Sequence, residues 1–128
     1  MTFENVRFTK EHEWVRFEKG TNIVTVGITD FAAGELGDIV FIEFPEIGRE
    51  VRALEPMGTI EAVKTVADLY APVSGAVKEV NTALNDDPAT VNQSPYEQGW
   101  FVKIEIAAKS ELDSLMQKSE YDEMVGKV

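Results

Sequence analysis

Residues 58–75 read Gly-Thr-Ile-Glu-Ala-Val-Lys-Thr-Val-Ala-Asp-Leu-Tyr-Ala-Pro-Val-Ser-Gly, with a single lysine, Lys64, near the middle of the stretch. Gly58 at the start and the run from Pro72 to Gly75 at the end are typical of turns. The residues of the stretch that favour extended backbone are Ile60, Val63, Val66, Leu69 and Val73. The pattern predicts a hairpin with Lys64 at or near its tip. A lysine there is poorly placed to support a core and well placed to be handled by another protein.

Length and charge limit the classes of protein that this chain can represent. A chain of 128 residues is the size of one domain, so we expect residues 1–128 to form a single domain. Its 12 Lys and Arg against 23 Asp and Glu give a formal charge of −11. Such a balance argues against nucleic acid and against an anionic membrane surface as partners. It favours partners that have positively charged docking faces.

The composition also excludes several kinds of chemistry. Cysteine is absent and His12 is the only histidine, which argues against disulfides, thiolate or multi-histidine metal sites, and a Cys–His catalytic set. We therefore expect a protein that is not an enzyme and holds no metal. No apolar run approaches the roughly 18–20 residues of a membrane span. Residues 1–10 have no signal or transit character, which predicts a cytoplasmic protein of bacterial type, although the mature form of an organellar protein with an added Met would look similar.

The pattern before the hairpin predicts strands connected by short turns. Thr29 and Asp30 offer an N-cap to a short helix that Gly37 ends. Residues 39–44 are almost continuously hydrophobic, which is typical of a strand covered on both faces. The predicted elements are a strand at 14–18, a turn at 19–22, a strand at 23–28, a helix at 31–36, a strand at 39–44, a turn at 45–48 and extended chain at 50–54.

The pattern after the hairpin predicts two more strands and a helical tail. Residues 76–80 form the first strand, and the alternation at 100–106 predicts the second. The polar segment 81–99 between them is long enough to be an ordered functional loop. Ser110-Glu-Leu-Asp113 resembles a capping box, and Ser119-Glu-Tyr-Asp122 repeats the signal. We expect residues 110–126 to form an amphipathic helical tail packed on the strands. Its apolar positions are Leu112, Leu115, Met116, Tyr121, Met124 and Val125.

These elements predict a mainly β fold with short helices. A weak internal repeat relates residues 37–42 to residues 75–80, one on each side of the hairpin. Two similar halves of this kind would suit a flattened β-barrel, or a hybrid of barrel and sandwich. For Lys64, the residues alone leave two interpretations open. It is either a functional side chain at a hairpin tip or a surface charge paired with Glu61 or Asp68.

Residues 61–75 resemble the lipoyl-lysine segment of the glycine cleavage system H protein family, and the resemblance extends over nearly the whole chain. The departures beside Lys64 are small, since the family usually has Ser where Ala62 stands and Ala where Thr65 stands. The other matching segments are Thr9-Lys-Glu-His-Glu-Trp-Val15, Val26-Gly-Ile-Thr-Asp30, Leu36-Gly-Asp-Ile-Val-Phe-Ile-Glu43, Pro45-Glu46, Val80-Asn81, Pro95-Tyr96, Gly99-Trp100 and Ser110-Glu-Leu-Asp113. Members of that family fold as a flattened β-barrel with short helices, as in the lipoyl-domain type.

The resemblance implies that Lys64 carries lipoate in amide linkage as its covalent cofactor, added by lipoylating enzymes. The family's partners would then be three enzymes. A pyridoxal-phosphate glycine decarboxylase loads an aminomethyl group onto a lipoyl sulfur, and a tetrahydrofolate-dependent aminomethyltransferase removes it. Dihydrolipoyl dehydrogenase reoxidises the dithiol. The chain would act as a monomeric shuttle between them.

The resemblance also implies a cleft that shelters the labile adduct. The matching positions are Glu13 and Asp68, whose carboxylates would hold the cationic amine of the adduct. Phe31 departs from the family, where His or Tyr is frequent, and is expected to serve as an apolar wall only. For Glu13 the alternative is an exposed charge at a strand edge. His12 is expected to anchor the N-terminal turn.

Three other interpretations remain from the sequence. Glu13 and Asp68 could form the acid–base pair of a hydrolase, but there is no nucleophile, metal set or phosphate loop beside them. A biotin carrier would typically flank its lysine with methionines, where Val63 and Thr65 stand here. A protein that relays lipoate to dehydrogenase complexes cannot be separated from a glycine cleavage carrier by these residues.

Overall fold

The computed structural model describes residues 2–126, so that Met1, Lys127 and Val128 lie outside the described residues. Nine strands carry most of the regular structure. They are β1 Val6–Phe8, β2 Glu13–Phe17, β3 Ile23–Ile28, β4 Ile39–Glu43, β5 Glu50–Val51, β6 Pro56–Ala62, β7 Val66–Tyr70, β8 Gly75–Val80 and β9 Val102–Ile106. The helices are α1 Asp30–Leu36, α2 Ala83–Asp86, α3 Thr90–Gln93, a 3₁₀ helix at Lys109–Ser114, and α4 Lys118–Val125.

The strands form two antiparallel sheets that share one core. The larger sheet has the order β1-β2-β3-β9-β8-β5, and the smaller sheet has the order β4-β6-β7. Val26, Val77 and Ile104 of the larger sheet belong to the same buried cluster as Ile60 and Leu69 of the smaller one. Burying the apolar face of each sheet against the other is what stabilises such a pair of layers. The prediction of a mainly β fold of the barrel–sandwich type is confirmed.

The predicted hairpin is confirmed and consists of β6 and β7. Glu61 pairs with Val66, and the amide of Ala62 donates to the carbonyl of Thr65 over 2.8 Å. The turn therefore consists of Val63 and Lys64.

The prediction that Gly58 marks a turn is wrong. Gly58 lies inside β6, at a shift in the pairing register between Pro56 and Gly58. A Cβ atom at this position would lie 2.3 Å from the carbonyl oxygen of Glu43 on β4. Glycine is needed here because the backbones of the two strands approach closely.

The prediction that residues 39–44 are covered on both faces is also wrong. β4 is an edge strand of the smaller sheet, and Val40 and Phe41 are 50% and 49% exposed. A β-bulge lies between Ile39 and Phe41, and only Ile39 and Ile42 of the strand are buried. An extra residue in a bulge interrupts the two-residue alternation of a strand, so the run of apolar residues does not indicate two buried faces.

Two connections differ from the prediction. Within 50–54 only Glu50–Val51 is a strand, because the chain turns at Leu54, which has a φ of 70° and donates its amide to the carbonyl of Ala71. The segment 81–99 contains α2 and α3, each held by one buried residue, Leu84 and Val91. Single apolar residues in a polar segment were too weak a signal to predict these helices.

The remaining strands are close to prediction. β2 and β8 each begin one residue earlier than predicted, β3 has the predicted bounds, and β9 begins at Val102 because Phe101 is buried outside the ladder. A register shift between Val77 and Glu79 explains why Val77 and Val80 do not share one face. The two repeated segments form β4 and β8, which lie in different sheets. β1 was not predicted.

The tail is helical and packs on the strands as predicted, but its caps differ. Residues 109–114 form a 3₁₀ helix whose N-cap is Ala108, without a side-chain cap. The capping box is formed by Gln117 and Glu120, and α4 therefore begins earlier than Ser119 predicted. The tail packs on β1, where the rings of Tyr121 and Phe8 stack 4.8 Å apart. Met124 is exposed and does not belong to the packed face.

Candidate functional site

Lys64 lies at the exposed tip of the hairpin, and the backbone beside it is fixed by a neighbouring loop. The amide of Val63 donates to the carbonyl of Asp38, over 2.9 Å, in the connection between α1 and β4. Gly37 of the same connection has a φ of 78°, and a Cβ atom on it would lie 3.2 Å from Lys64 Cε. The absence of a side chain at Gly37 thus leaves room for the aliphatic stem of Lys64.

The interpretation of Lys64 as a paired surface charge finds no support in the geometry. Across residues 2–126, the ion pairs within 4.0 Å join Lys78 to Glu105, Lys103 to Glu79 and Lys118 to Asp122. Neither Glu61 nor Asp68 pairs with Lys64 in this part of the chain. The ammonium group is therefore presented to solvent.

Asn92 on α3 holds the loop that supports the tip. Its side-chain oxygen accepts from the amide of Ile39 over 3.1 Å, and its Nδ2 donates to the carbonyl of Gly37 over 2.8 Å. These two bonds hold the residues on either side of Asp38, and the carbonyl of Asp38 accepts from the amide of Val63. One side chain from a distant helix thus fixes the support of the hairpin turn.

Replacing Asn92 with Ala should destabilise the protein by about 1–3 kcal/mol, because partly buried backbone groups lose their hydrogen-bond partners. Urea unfolding of the purified protein measures this change. Amide hydrogen exchange at Val63 should also accelerate, since its acceptor on Asp38 becomes mobile. Gln93→Ala on the exposed face of the same helix is the matched control and should leave both quantities unchanged. Equal stability of Asn92→Ala and wild type would contradict this role.

Glu13 is a buried acid that bridges the two sheets. It lies on β2, is 2% exposed, and its Oε1 accepts from the hydroxyl of Thr9 over 2.7 Å. Its Oε2 accepts from the amide of Tyr70 over 3.3 Å, at the outer edge of β7. The alternative of an exposed strand-edge charge is therefore wrong for Glu13. The carboxyl group instead supplies an acceptor to an edge strand that has no further neighbour in its sheet.

Burial raises the pKa of Glu13 from its ordinary value of 4.5 to about 8. Removing a carboxylate from water disfavours its charged form, and this effect exceeds the opposite one of the hydrogen bonds from Thr9 and Tyr70. The carboxyl group is consequently neutral at pH 7. A cationic amine placed beside it would favour its ionisation.

Phe31 packs against His12, the residue that precedes Glu13. Phe31 is half-buried on α1, and its ring lies 5.0 Å from the ring of His12. The hydroxyl of Tyr121 is 2.8 Å from Nδ1 of His12 and 2.7 Å from the hydroxyl of Thr29. The amide of His12 also donates to the carbonyl of Thr9, which confirms that His12 anchors the N-terminal turn.

Asp68 lies on the same strand as the backbone partner of Glu13 but does not contact Glu13. It is exposed and stands two residues, or about 7 Å, before Tyr70 on β7. In the described part of the chain, no hydrogen bond or ion pair joins Asp68 to Glu13. A groove of about 510 Å³ continues past the end of β7, lined by Thr9, Leu54 and Tyr70 among others. The structure thus places apolar walls beside the Thr9–Glu13–Tyr70 bonds.

Sequence reasoning missed three residues of this site. Tyr70 and Asn92 act through partners that are distant in the chain, and no local pattern predicts such contacts, whereas the partner of Thr9 is Glu13, four residues further on. Gly37 was predicted only as the end of a helix. Thr9 does stand within the Thr-Lys-Glu-His-Glu-Trp motif, which was a usable signal.

No helix among the described residues is both long and apolar enough to cross a bilayer. No group of three or more His, Asp or Glu side chains within residues 2–126 is arranged to hold a metal ion.

The fold and the site define a class of small mainly β domains that display one lysine at a supported hairpin turn. The model of the family described as glycine cleavage H-protein matches residues 6–128. The glycine cleavage system H protein of Geobacillus sp. (strain WCH70) is 54% identical over 124 residues, which are 97% of this chain and 96% of the relative. That of Bacillus velezensis is 52% identical over 123 residues, covering 96% and 95%.

A solved structure agrees with these relatives. The crystal structure of a glycine cleavage system H protein from Mycobacterium marinum has a TM-score of 0.88, with 41% identity, and covers 98% of this chain and 99% of that one. The chain belongs to the glycine cleavage H-protein family. Members of this family are non-catalytic carriers of the glycine cleavage system, and they hold lipoate covalently on a lysine.

Proposed function

We propose that Lys64 is the lysine that carries the lipoyl group. The observation that carries this proposal is the position of Lys64, which is exposed at a two-residue turn, unpaired among the described residues, and seated over Gly37. Acylation of Nζ needs an amine that an enzyme can reach and whose stem has a defined direction. The bound lipoyl group supplies a terminal disulfide that can accept and release an aminomethyl group.

The support of the turn suits this role. Because the bonds from Val63 to Asp38 and from Asn92 to the same loop fix the backbone, motion of the carrier is confined to the side chain and its extension. A flexible extension on a fixed base searches a limited volume, which raises its effective concentration at a docked partner. The chain acts as a single carrier domain and as a monomer.

Glu13 and Phe31 form the polar end and the apolar wall of the shelter for the loaded arm. A buried carboxyl group next to an aromatic wall is suited to a cationic amine that must be kept from water. Thr9 and Tyr70 orient the carboxyl group through both of its oxygens. Asp68, which is exposed on β7, contributes a negative charge at the mouth of this shelter.

The partners of the carrier are the decarboxylase, the aminomethyltransferase and the dihydrolipoyl dehydrogenase of the glycine cleavage system. To these we add an enzyme that attaches lipoate to Lys64, and the cytoplasm as the compartment in which they meet. The formal charge of −11 favours brief docking on several positively charged surfaces.

Exchange of labelled bicarbonate into glycine tests the function directly. The lipoylated protein, mixed with the glycine decarboxylase, should support this exchange, whereas the unlipoylated protein should not. An established H protein serves as the positive control for the decarboxylase. If the lipoylated chain were inactive in a mixture where that control is active, the role would instead be the relay of lipoate.

A further inference from the structure

We propose that an apolar surface beside Lys64 is the docking surface for the enzyme that attaches the lipoyl group. This surface, which we call the tip patch, consists of Val40 and Phe41 on β4 and of Val63 and Val66 on the hairpin. The inference rests on the proposed attachment of lipoate to Lys64. It adds the contact surface by which the attaching enzyme recognises this chain.

The exposed apolar side chains of the protein are concentrated at this end. Among the described residues, the large hydrophobic side chains that are exposed are Val40, Phe41, Ile47, Leu54, Val63, Val66 and Met124. Four of these seven belong to the tip patch, and Val63 and Val66 are the most exposed of the four, at 74% and 63%. A group of exposed apolar side chains at one end of a small acidic protein marks an interaction site more often than scattered residues do.

The pairing register places Phe41 and Val66 on one face of the smaller sheet. Phe41 pairs with Glu61, and Glu61 pairs with Val66, so that the three residues form one row across the smaller sheet. Directly opposed residues of antiparallel strands have their side chains on the same face. Since adjacent strands are about 4.8 Å apart, the row spans about 10 Å. Val63 lies in the turn at one end, next to Lys64.

The bulge in β4 and the support loop complete the patch. Val40 is the additional residue between the paired Ile39 and Phe41, and it is exposed because the bulge removes it from the alternation. The amide of Val63 is held by the carbonyl of Asp38, one residue before Ile39. β4 and the turn are therefore fixed relative to each other, and the patch is preformed.

The charges around the patch indicate the chemistry of the partner. The next row on the same face contains Glu43, Thr59 and Asp68, and Glu61 lies between the apolar members of the first row. Apart from Lys64 itself, neither these two rows nor the turn contains a lysine or arginine. The surface of the partner that fits this patch therefore has an apolar centre with basic residues around it.

The position of Nζ selects the attaching enzyme among the proteins that act on the arm. In the acylation step, the neutral amine of Lys64 attacks the carbonyl carbon of an activated lipoyl ester such as the mixed anhydride with AMP. The new C–N bond forms, the C–O bond to the phosphate breaks, AMP leaves, and the amine loses a proton. Because Nζ lies close over Gly37, the body of this enzyme must cover the tip. Enzymes that act on the far end of the arm need to reach only its terminal disulfide.

Acylation kinetics with an ATP-dependent lipoate–protein ligase, lipoate and ATP test this surface. The substrates are the unlipoylated full-length chain and its variants Phe41→Ser and Val66→Thr, and the mass of the product measures the rate. Each variant should raise KM about five- to tenfold with little change in kcat, because contacts made equally in the ground and transition states affect binding. Val66→Thr keeps a β-branched residue and thus the strand.

Ile47→Ser is the matched control, since Ile47 is as exposed as the patch residues but lies in the turn after β4. It should be acylated at the wild-type rate. Equal kinetics for wild type, Phe41→Ser and Val66→Thr would overturn the docking surface and leave the proposed function intact. An equal loss in Ile47→Ser would also overturn it. A wild-type chain that the ligase does not acylate at Lys64 would overturn both.

Discussion

Replacing Lys64 with Arg is expected to abolish lipoylation and carrier activity completely, while the free energy of unfolding changes by less than about 0.5 kcal/mol. Arginine keeps the positive charge and the length of the side chain. Its guanidinium group is not deprotonated in proteins and cannot serve as the acylated amine. The exposed position and the lack of an ion pair to Lys64 among residues 2–126 explain the small effect on stability.

Intact-mass measurement of protein made in lipoate-replete cells checks this expectation. Wild type should gain one lipoyl group and Lys64→Arg none. Lys78→Arg is the control, because Lys78 is an exposed lysine on β8 whose pairing with Glu105 an arginine can keep. A lipoyl group found on the Lys64→Arg protein would show that another lysine carries it.

The second large effect concerns the pH dependence of stability at Glu13. A carboxyl group whose pKa is raised on folding stabilises the folded state fully below its unfolded pKa of 4.5. As the pH rises above 4.5, Glu13 ionises in the unfolded state but stays protonated in the folded state. This stability is therefore lost progressively as the pH rises to about 8. One pKa unit corresponds to about 1.4 kcal/mol, so the loss should be about 3–5 kcal/mol across this range.

Urea unfolding at pH 5, 6.5 and 8 should show this loss in wild type but not in Glu13→Gln. The amide of glutamine does not titrate, and its oxygen can still accept a hydrogen bond. Burial lowers the pKa of His12 and gives the opposite slope below about pH 6.5, but it does so in both proteins. The difference between the two curves therefore isolates Glu13. Parallel curves would mean that Glu13 is ionised in the folded protein throughout.

Local patterns in the sequence were sufficient for the hairpin and for most strands. Lys64 could be placed at a turn because β-prone residues on both sides of it determine a short connection. The errors occurred where a local pattern had a different structural cause from the one that the sequence suggested. Position 58 needs a glycine because the carbonyl of Glu43 lies against it, and Val40 is exposed because a bulge removes it from the alternation of β4.

The candidate site was only partly predictable for a different reason. The position of Lys64 is determined within one hairpin. The hydrogen bond between Glu13 and Tyr70, and the bonds by which Asn92 supports the turn, join segments that are distant in the chain, and no periodicity encodes such contacts. The resemblance to the family supplied Glu13 as a site residue, but its burial followed only from the two sheets meeting there. Segments distant in sequence have to be folded before such a pocket exists.

The ends of the chain meet at this pocket, and this has a consequence for the time at which it forms. Tyr121 is 109 residues beyond His12, whose ring it contacts, and Met116 pairs with Phe8 of β1. A ribosome makes the N-terminal segment first, so β1 and His12 have no partners here until residues 116–121 have been made. The hairpin has emerged well before that point. The hairpin with Lys64 is thus complete before this pocket, which forms only when residues 116–121 pack against β1 and His12.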